Sequence, residues 1–319
     1  MSNLFHHCMQ VIVKPLESAR CHEILLVSGD GSVRRCFPIL AAYVGDYPEQ
    51  VLVSLVKTSN CPICPAPCDE IDKWESNLEP RDTQKIIDAL NSIDKGAAKF
   101  TKVCAEAGIK LVQCVFWKNL PFVHIYHSIT PDILHQLYQG LLKHLIAWIQ
   151  AACGDAEINA QCCRFPPNHQ IQLFMKGISH LSRVTGMEHD QISRFLLALV
   201  ADIQLPDGHS NAQLVCTVCV VLDFIYLARY PIHTSEMLAQ MNDELHMFHL
   251  NHDIFISLGI HGHFKIPKLH NAAMLVITMN LFCSMARQTI SIQNLLSGFT
   301  LILRRMLTLQ QTSRTSSHK

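Results

Sequence analysis

Cys61 and Cys64, separated by two residues, are the strongest candidates for metal binding in this chain of 319 residues. Two thiolates at this spacing on a tight turn can supply half of a tetrahedral zinc site. Cys68 is a candidate third ligand, and the neighbouring sequence offers no obvious fourth. The alternative is a proline-rich turn that carries free thiols. Cys216 and Cys219 repeat the spacing, but their segment is apolar and helical, so packing in the core explains them better.

A second kind of chemistry is suggested by Asp30 and Asp46, each of which follows an apolar, strand-like run. Carboxylates held at strand ends are the hard oxygen ligands that two Mg²⁺ ions need in phosphoryl transfer. The alternative is turn formation, because Gly-Asp-Gly and Gly-Asp-Tyr-Pro are common turn sequences. From these residues alone the turn interpretation is favoured. Arg34 and Arg35, beside the first turn, are candidates for contact with DNA phosphates.

The segments that must position these residues change in character along the chain. Residues 23–27, 36–44 and 50–56 are strand-like runs joined by turns rich in glycine, aspartate and proline. This pattern predicts part of a sheet. After the cysteine pair the apolar spacing is helical almost throughout, so the chain as a whole is expected to be rich in helix.

The clearest predicted helix begins at Thr130-Pro-Asp132, where a capping residue, a first-turn proline and an acidic residue come together. Asp132 and His135 share a face of this helix and are expected to form a hydrogen bond. Residues 214–230 are apolar nearly all round, which predicts a central core helix. Further helices are predicted at residues 170–185, 188–203 and 234–251.

The composition is that of a globular chain, with 49% hydrophobic and 16% charged residues. The N-terminal residues lack the features of a secretory signal, so the 14 cysteines are expected to be free or metal-bound in a reducing, intracellular setting. The longest apolar run, residues 272–281, is too short to span a bilayer, so we expect no membrane insertion. The sequence contains neither a glycine-rich phosphate loop nor a Gly-x-Ser-x-Gly elbow.

Charge is balanced overall but unevenly distributed. The chain has 26 basic and 26 acidic residues, yet every Asp and Glu lies at or before Asp253. Residues 254–319 hold seven Lys and Arg and no acid, which leaves 19 basic against 26 acidic residues in the preceding part. A basic tail can indicate contact with nucleic acid or a membrane.

Several longer motifs follow one another in a set order. They are Gly29-Asp-Gly-Ser-Val-Arg-Arg, Tyr43-Val-Gly-Asp-Tyr-Pro, Cys61-Pro-Ile-Cys64, Phe116-Trp-Lys-Asn-Leu-Pro, Ile129-Thr-Pro-Asp-Ile-Leu-His-Gln-Leu-Tyr-Gln-Gly, Pro166-Pro-Asn-His, Leu222-Asp-Phe-Ile-Tyr and Ile266-Pro-Lys-Leu-His270. In this order and spacing the chain closely resembles the Plavaka-type DNA transposases of mushroom-forming fungi, the basidiomycetes. The resemblance extends over roughly residues 3–270.

The resemblance implies an RNase H-like core with a DDE/D carboxylate triad that binds two Mg²⁺ or Mn²⁺ ions and cuts transposon ends. It makes Asp30 and Asp46 candidate remnants of that carboxylate set, and which of them matches a triad position stays open. It also supports Cys61 and Cys64 as the zinc-type pair of the family. DNA as a partner, a nuclear location and a homo-oligomer are further expectations from the resemblance.

Two departures from the family pattern lead us to expect a truncated and frameshifted relic. Family members have the first catalytic strand upstream of the region matched here, and after His270 they continue with acidic motifs that this chain lacks. Read two bases later, legal codons for residues 286–294 can spell Thr-Thr-Asp-Asn-Phe-Asn-Thr-Glu, and two more family motifs follow at the same offset. Residues from about 271 onward are therefore expected to be out of frame, so their basic charge is poor support for a nucleic-acid-binding arm.

The expected organisation has four segments. They are a partial RNase H-like sheet at residues 1–60, the cysteine turn with polar helices at 61–115, an α-helical transposase-type region at 116–270, and a poorly ordered basic tail at 271–319. The fold class is an α/β fragment followed by a mainly α-helical region. The leading functional interpretation is a transposon-derived, transposase-like protein that is catalytically incomplete. The alternative is a non-catalytic module, derived from a transposase, that binds DNA or protein.

Overall fold

A computed structural model describes residues 2–36, 38–58, 60–67, 70–71, 78–120 and 123–288 of the chain. Helices dominate these residues, which confirms the helix-rich character predicted from the apolar spacing. The first part contains helices α1 (Ser2–His22), α2 (Tyr47–Val53), α3 (Thr83–Asn91) and α4 (Ala97–Glu106), with strands β1 (Ile24–Val27), β2 (Val33–Cys36) and β3 (Tyr43–Gly45).

A short helix, α5 (Ile125–Ser128), leads into strand β4 (Ile129–Pro131). A π-helix, Ile133–Leu142, follows β4 and continues directly as α6. The remaining helices are α6 (Lys143–Cys153), α7 (Asp155–Arg164), α8 (Gly186–Val200), α9 (Asn211–Ala228), α10 (Ser235–Asn251), α11 (Asp253–Ser257) and α12 (Pro267–Gln288). Single 3₁₀ turns occupy Ser92–Lys95 and Pro206–Gly208.

The described strands form two separate pairs. β1 and β2 are antiparallel, with Ile24 opposite Cys36, and they make an isolated hairpin with exposed apolar side chains. β3 and β4 are parallel, with Gly45 opposite Pro131, and they bring the first part of the chain beside the start of the π-helix. The predicted run at residues 23–27 forms β1, whereas the run at residues 36–44 contributes only the end of β2 and the start of β3. An RNase H-like core remains an expectation from the resemblance.

The strand predicted at residues 50–56 is wrong, because most of this segment belongs to α2. Asp46 caps the helix by accepting a hydrogen bond from the N–H of Glu49 at 2.9 Å, and Pro48 stands in the first turn. Both features favour a helical start. The valines that suggested a strand, Val51 and Val53, are buried on this helix, so capping and burial outweigh their β-propensity.

Buried apolar side chains form two clusters. The N-terminal cluster is built by residues from α1 to β4, and the helical cluster by the π-helix and helices α6 to α12. α12 belongs to both, because Met274 packs in the N-terminal cluster while Ala272 and Leu275 pack in the helical cluster. This helix therefore joins the two halves of the core.

α9 is the central helix of the helical cluster, as its sequence predicts. It is the one described helix whose length and hydropathy would also suit a membrane span. Its side chains at Val218, Phe224 and Ile225 are almost fully buried, and the helix packs against α8 and α10. These contacts are those of a core helix inside a folded protein.

The structure differs from the expectation of a poorly ordered tail that begins at residue 271. α12 runs through that boundary to Gln288, and its side chains at Ala272, Met274 and Thr278 are buried. A helix with apolar residues on two faces can pack between two apolar clusters. This packing depends on the amino-acid composition of the helix and would not require the original reading frame. Residues 289–319 lie outside the described residues, and the shifted reading frame stays a prediction.

His6 of α1 is fully buried in the N-terminal cluster, where its ring stacks on Phe116 with 5.6 Å between the centroids. Nε2 lies 3.0 Å from the carbonyl oxygen of Leu52, so we assign the proton to Nε2. Nδ1 is buried and has no hydrogen-bond partner among the described residues. Burial lowers the pKa of His6, although the bond to Leu52 acts in the opposite direction.

We expect the free energy of unfolding to fall as pH decreases below 6.5, the ordinary pKa of histidine. His6 takes up a proton there in the unfolded chain but stays neutral in the folded one, so the unfolded state binds more protons. The pKa values of His127, His144 and His189 are also lowered, chiefly by burial, and act in the same direction. His6→Phe should reduce the slope of the free energy of unfolding against pH by up to about 1.4 kcal/mol per pH unit. Urea titrations above and below pH 6.5 measure it, and an unchanged slope in the variant would contradict the assignment.

Candidate metal centre

Cys61, Cys64 and His270 meet in the interior of the protein. Their potential ligand atoms all lie within 4.8 Å of one another, and the three residues are 4%, 0% and 6% exposed. The Cys64 Sγ and the His270 Nε2 are 3.1 Å apart although 206 positions separate them in the chain. The structure thus joins the predicted cysteine pair to a histidine for which the sequence analysis proposed no metal-binding role.

Backbone N–H groups orient the two sulfur atoms. The Cys61 Sγ accepts hydrogen bonds from the N–H of Ile63 at 3.4 Å and of Cys64 at 3.3 Å. A backbone hydrogen bond from Ala66 stabilises the thiolate of Cys64 in the same way. Such N–H···S bonds favour the charged form of sulfur and hold it in position, as outer-sphere contacts do around metal ligands.

Arg81 holds the cysteine turn from outside. Its guanidinium donates to the carbonyl oxygen of Cys61, and its backbone N–H donates to the carbonyl oxygen of Ile63 at 2.8 Å. Arg81 itself is only 9% exposed. The side chain and the backbone of Arg81 therefore hold the turn that carries both sulfur atoms. Because Arg81 cannot itself bind the metal, the site is expected to keep its shape before a metal ion binds.

The two cysteines have pKa values shifted in opposite directions. A hydrogen bond from Cys61 lowers the pKa of Cys64, and His270 lowers it further although burial opposes the shift. Burial raises the pKa of the Cys61 thiol, and its neighbour Cys64 adds to the rise. The pair is thus expected to share one negative charge, and binding of a metal cation would displace the remaining proton.

Two sulfur ligands and one imidazole nitrogen form a donor set that suits zinc. No further Cys, His, Asp or Glu joins this group in the part of the chain that the structure describes. Cys68, the predicted third ligand, lies outside the described residues. His270 stands in the first turn of α12, so a metal ion held here would connect the cysteine turn to the helix that joins both clusters.

Asp30 lies in the turn of the β1–β2 hairpin and faces Arg34. The guanidinium donates to both carboxylate oxygens, at 2.9 Å and 2.7 Å, and holds the pKa of Asp30 at about 2. Arg35 pairs with Glu23 at 3.3 Å. Both arginines predicted to contact DNA phosphates therefore have a carboxylate partner within the hairpin, and the structure does not place Asp30 on the strand pair that Asp46 follows.

Asp46 and Asp132 occupy matching positions at one edge of the parallel strand pair. Asp46 follows β3 and Asp132 follows β4, immediately after the paired residues Gly45 and Pro131. Asp132 accepts hydrogen bonds from the backbone N–H of His135 at 2.7 Å and from its ring at 2.9 Å, which confirms the predicted contact. Asp132 was expected only at a helix start and not as a strand-end carboxylate, although the apolar Ile129 that precedes it in the motif Ile129-Thr-Pro-Asp was a signal for a strand.

Lys268, on α12, lies near both of these carboxylates. Its Nζ donates to the carbonyl oxygen of His135 and to Oε1 of Gln136, each at 3.1 Å. Burial lowers the pKa of Lys268, while the charges of Asp132 and Asp46 raise it. An ammonium group thus offsets part of the negative charge at this edge, and no set of three carboxylates forms among the described residues.

Residues 1–149 match the family model described as Plavaka transposase. The matched range contains the cysteine pair, Asp46 and Asp132, and it ends before His270. No curated protein and no solved structure matches the chain.

Proposed function

We propose that this chain is a transposon-derived, transposase-like protein that binds DNA without cutting it. The observation that carries the proposal is the match of residues 1–149 to the Plavaka transposases, a family of DNA-acting proteins. The arrangement of the cysteine pair and the strand-end carboxylates within that range supports it. A nuclear location and a homo-oligomer, both expected from the resemblance, belong to the same proposal.

The proposal assigns a zinc ion to Cys61, Cys64 and His270. A zinc ion bound there would act as a structural cross-link. The residues suit this role because all three are buried and the sulfur atoms accept backbone hydrogen bonds. The cysteine turn belongs to the N-terminal cluster and His270 to α12, so the site would keep the two halves of the core together.

Catalytic incompleteness is proposed from the carboxylate edge. Phosphoryl transfer by two metal ions needs several carboxylates that place the cations a few ångströms apart. Among the described residues, Asp46 and Asp132 directly follow the paired strands, and Lys268 lies beside them. Glu49 is a third acid near this edge, and its carboxylate accepts a hydrogen bond from the hydroxyl of Tyr43 at 2.7 Å. We infer that Asp46 is the remnant of the family's acidic set, whereas Asp30 serves its turn and its ion pair with Arg34.

We expect the purified protein to bind duplex DNA and to leave it uncut with Mg²⁺ or Mn²⁺. Binding driven by phosphate contacts weakens steeply as salt rises, so a titration at several salt concentrations measures it. Gel analysis of labelled DNA measures cleavage. Cleavage that disappears in Asp46→Asn, but persists in the exposed control Asp88→Asn, would overturn the inactive assignment. A protein that binds no DNA at low salt would instead favour the protein-binding alternative.

A further inference from the structure

A groove of about 440 Å³ lies between α6, the loop before α8 and the start of α8. Its apolar lining includes the partly exposed side chains of Ile146, Leu181 and Val184, together with two buried isoleucines. The amide groups of Gln139 and Gln150 stand along α6 and the preceding π-helix. Grooves of this size, with an apolar floor and a few polar groups at the rim, are typical of small-ligand sites.

The ionisable groups that line the groove are basic. Lys143 and Arg183 are both exposed at its rim, and neither forms an ion pair with a carboxylate in the part of the chain that the structure describes. Glu188 lies close by, but its carboxylate accepts hydrogen bonds from the backbone and the hydroxyl of Thr185 in a capping box. Two uncompensated cations beside an apolar floor favour an anionic ligand.

His189 adds an acceptor to the same groove. Its Nδ1 lies 2.9 Å from the carbonyl oxygen of Thr185, so we assign the proton to Nδ1 and leave Nε2 as an acceptor. Burial lowers the pKa of His189, and the charge of Lys143 contributes to the lowering. His189 is only 3% exposed, so the groups that the groove presents to a ligand are chiefly the two cations and the amides around an apolar surface.

We propose that this groove binds one nucleotide, with the phosphate on Lys143 and Arg183 and the base over the partly exposed apolar side chains of the lining. Phosphate oxygens suit a pair of cations, and a base can lie on aliphatic side chains while amides bond its edge. The nucleotide is either free or part of a DNA strand. If the nucleotide is part of a DNA strand, the inference rests on the DNA binding proposed above and places that binding at this groove.

The test measures binding of deoxyadenosine monophosphate, deoxyadenosine, and a labelled single-stranded and a duplex DNA. The wild-type protein should bind the monophosphate or a DNA strand, and it should discriminate against the nucleoside that lacks phosphate. Lys143→Gln and Arg183→Gln should each weaken binding about tenfold, as expected for loss of one charge-assisted contact. Each should also reduce the salt slope of DNA binding by about one. Lys85→Gln, an exposed lysine of α3, is the matched control.

A charge-swap pair at Ala147 tests the groove independently. Ala147 is exposed on α6 and lines the groove, so longer side chains fit there without changing the core. Ala147→Glu should weaken binding, whereas Ala147→Lys, of similar length, should not. A thermal melt of each variant checks that it is folded.

The outcomes separate the two proposals. DNA binding that is unchanged in Lys143→Gln, Arg183→Gln and Ala147→Glu would overturn the groove and leave the proposed function intact. Binding of the monophosphate without binding of DNA would support the groove and overturn the DNA function. Binding of the strand without the free monophosphate would identify DNA as the source, and absence of all binding would overturn both.

Discussion

Cys64→Ser is expected to abolish binding of one zinc ion per chain and to destabilise the folded protein. Cys64 is fully buried, lies 3.1 Å from His270, and has a pKa lowered toward the thiolate by Cys61 and His270. A metal that binds only the folded state stabilises it by about 4 kcal/mol when free zinc exceeds the dissociation constant a thousandfold. The variant loses that stabilisation because serine is a poor zinc ligand.

Metal analysis of the purified protein and thermal unfolding with and without a chelator measure both effects. The wild-type protein should contain one zinc ion per chain, and the chelator should lower its midpoint but leave that of the variant unchanged. Cys104→Ser is the matched control, because Cys104 is also fully buried in the N-terminal cluster but lies outside the metal-binding group. It should keep its zinc. A Cys64→Ser protein that retains one zinc ion per chain would contradict the assignment.

His270→Ala separates the cysteine pair from the rest of the site. The remaining ligands are local to one turn, so zinc should bind more weakly. α12 would also lose its metal-mediated connection to the N-terminal cluster. Hydrogen exchange should then increase in α12 more than in α9, which lies within the helical cluster. Equal protection of α12 in the variant and the wild-type protein would show that the helix does not depend on the site.

Trp117→Ala is expected to reduce the free energy of unfolding by about 3–5 kcal/mol, the range for truncation of a buried aromatic residue. Trp117 is 1% exposed, and its indole N–H donates to the carbonyl oxygen of Val53 at 2.9 Å. The ring meets Tyr126 edge-on, and the hydroxyl of Tyr126 donates to the carbonyl oxygen of Ser54. The variant would lose apolar contacts and leave the end of α2 without these constraints.

Urea titrations of the wild-type protein and two variants test this expectation. Trp117→Phe keeps an aromatic ring but removes the N–H donor, so it should cost about 1–3 kcal/mol, the penalty for an unpaired buried carbonyl group. The order wild type, Trp117→Phe, Trp117→Ala in decreasing stability is therefore expected. An alanine variant within about 1 kcal/mol of the wild-type protein would mean that the surrounding side chains collapse into the space.

Local patterns in the sequence predicted the features that depend on neighbouring residues. The cysteine pair lies on a tight turn, Asp132 bonds His135 across one turn of helix, and the apolar segment at residues 214–230 corresponds to α9. Each rests on contacts between residues a few positions apart. The strand predicted at residues 50–56 failed because the cap at Asp46 and burial on one helical face outweighed the β-branched composition.

Tertiary structure decided the rest, because contacts between distant residues depend on how whole elements pack. The sequence by itself determined the turn with two cysteines, but α12 brings His270 to it from 206 positions away. Asp46 was a candidate from the sequence, whereas parallel pairing of β3 with β4 placed Asp132 beside it, and α12 added Lys268. His270 and Lys268 are placed by the burial of α12 in both clusters. Such packing between distant segments cannot be read from the local spacing of residues.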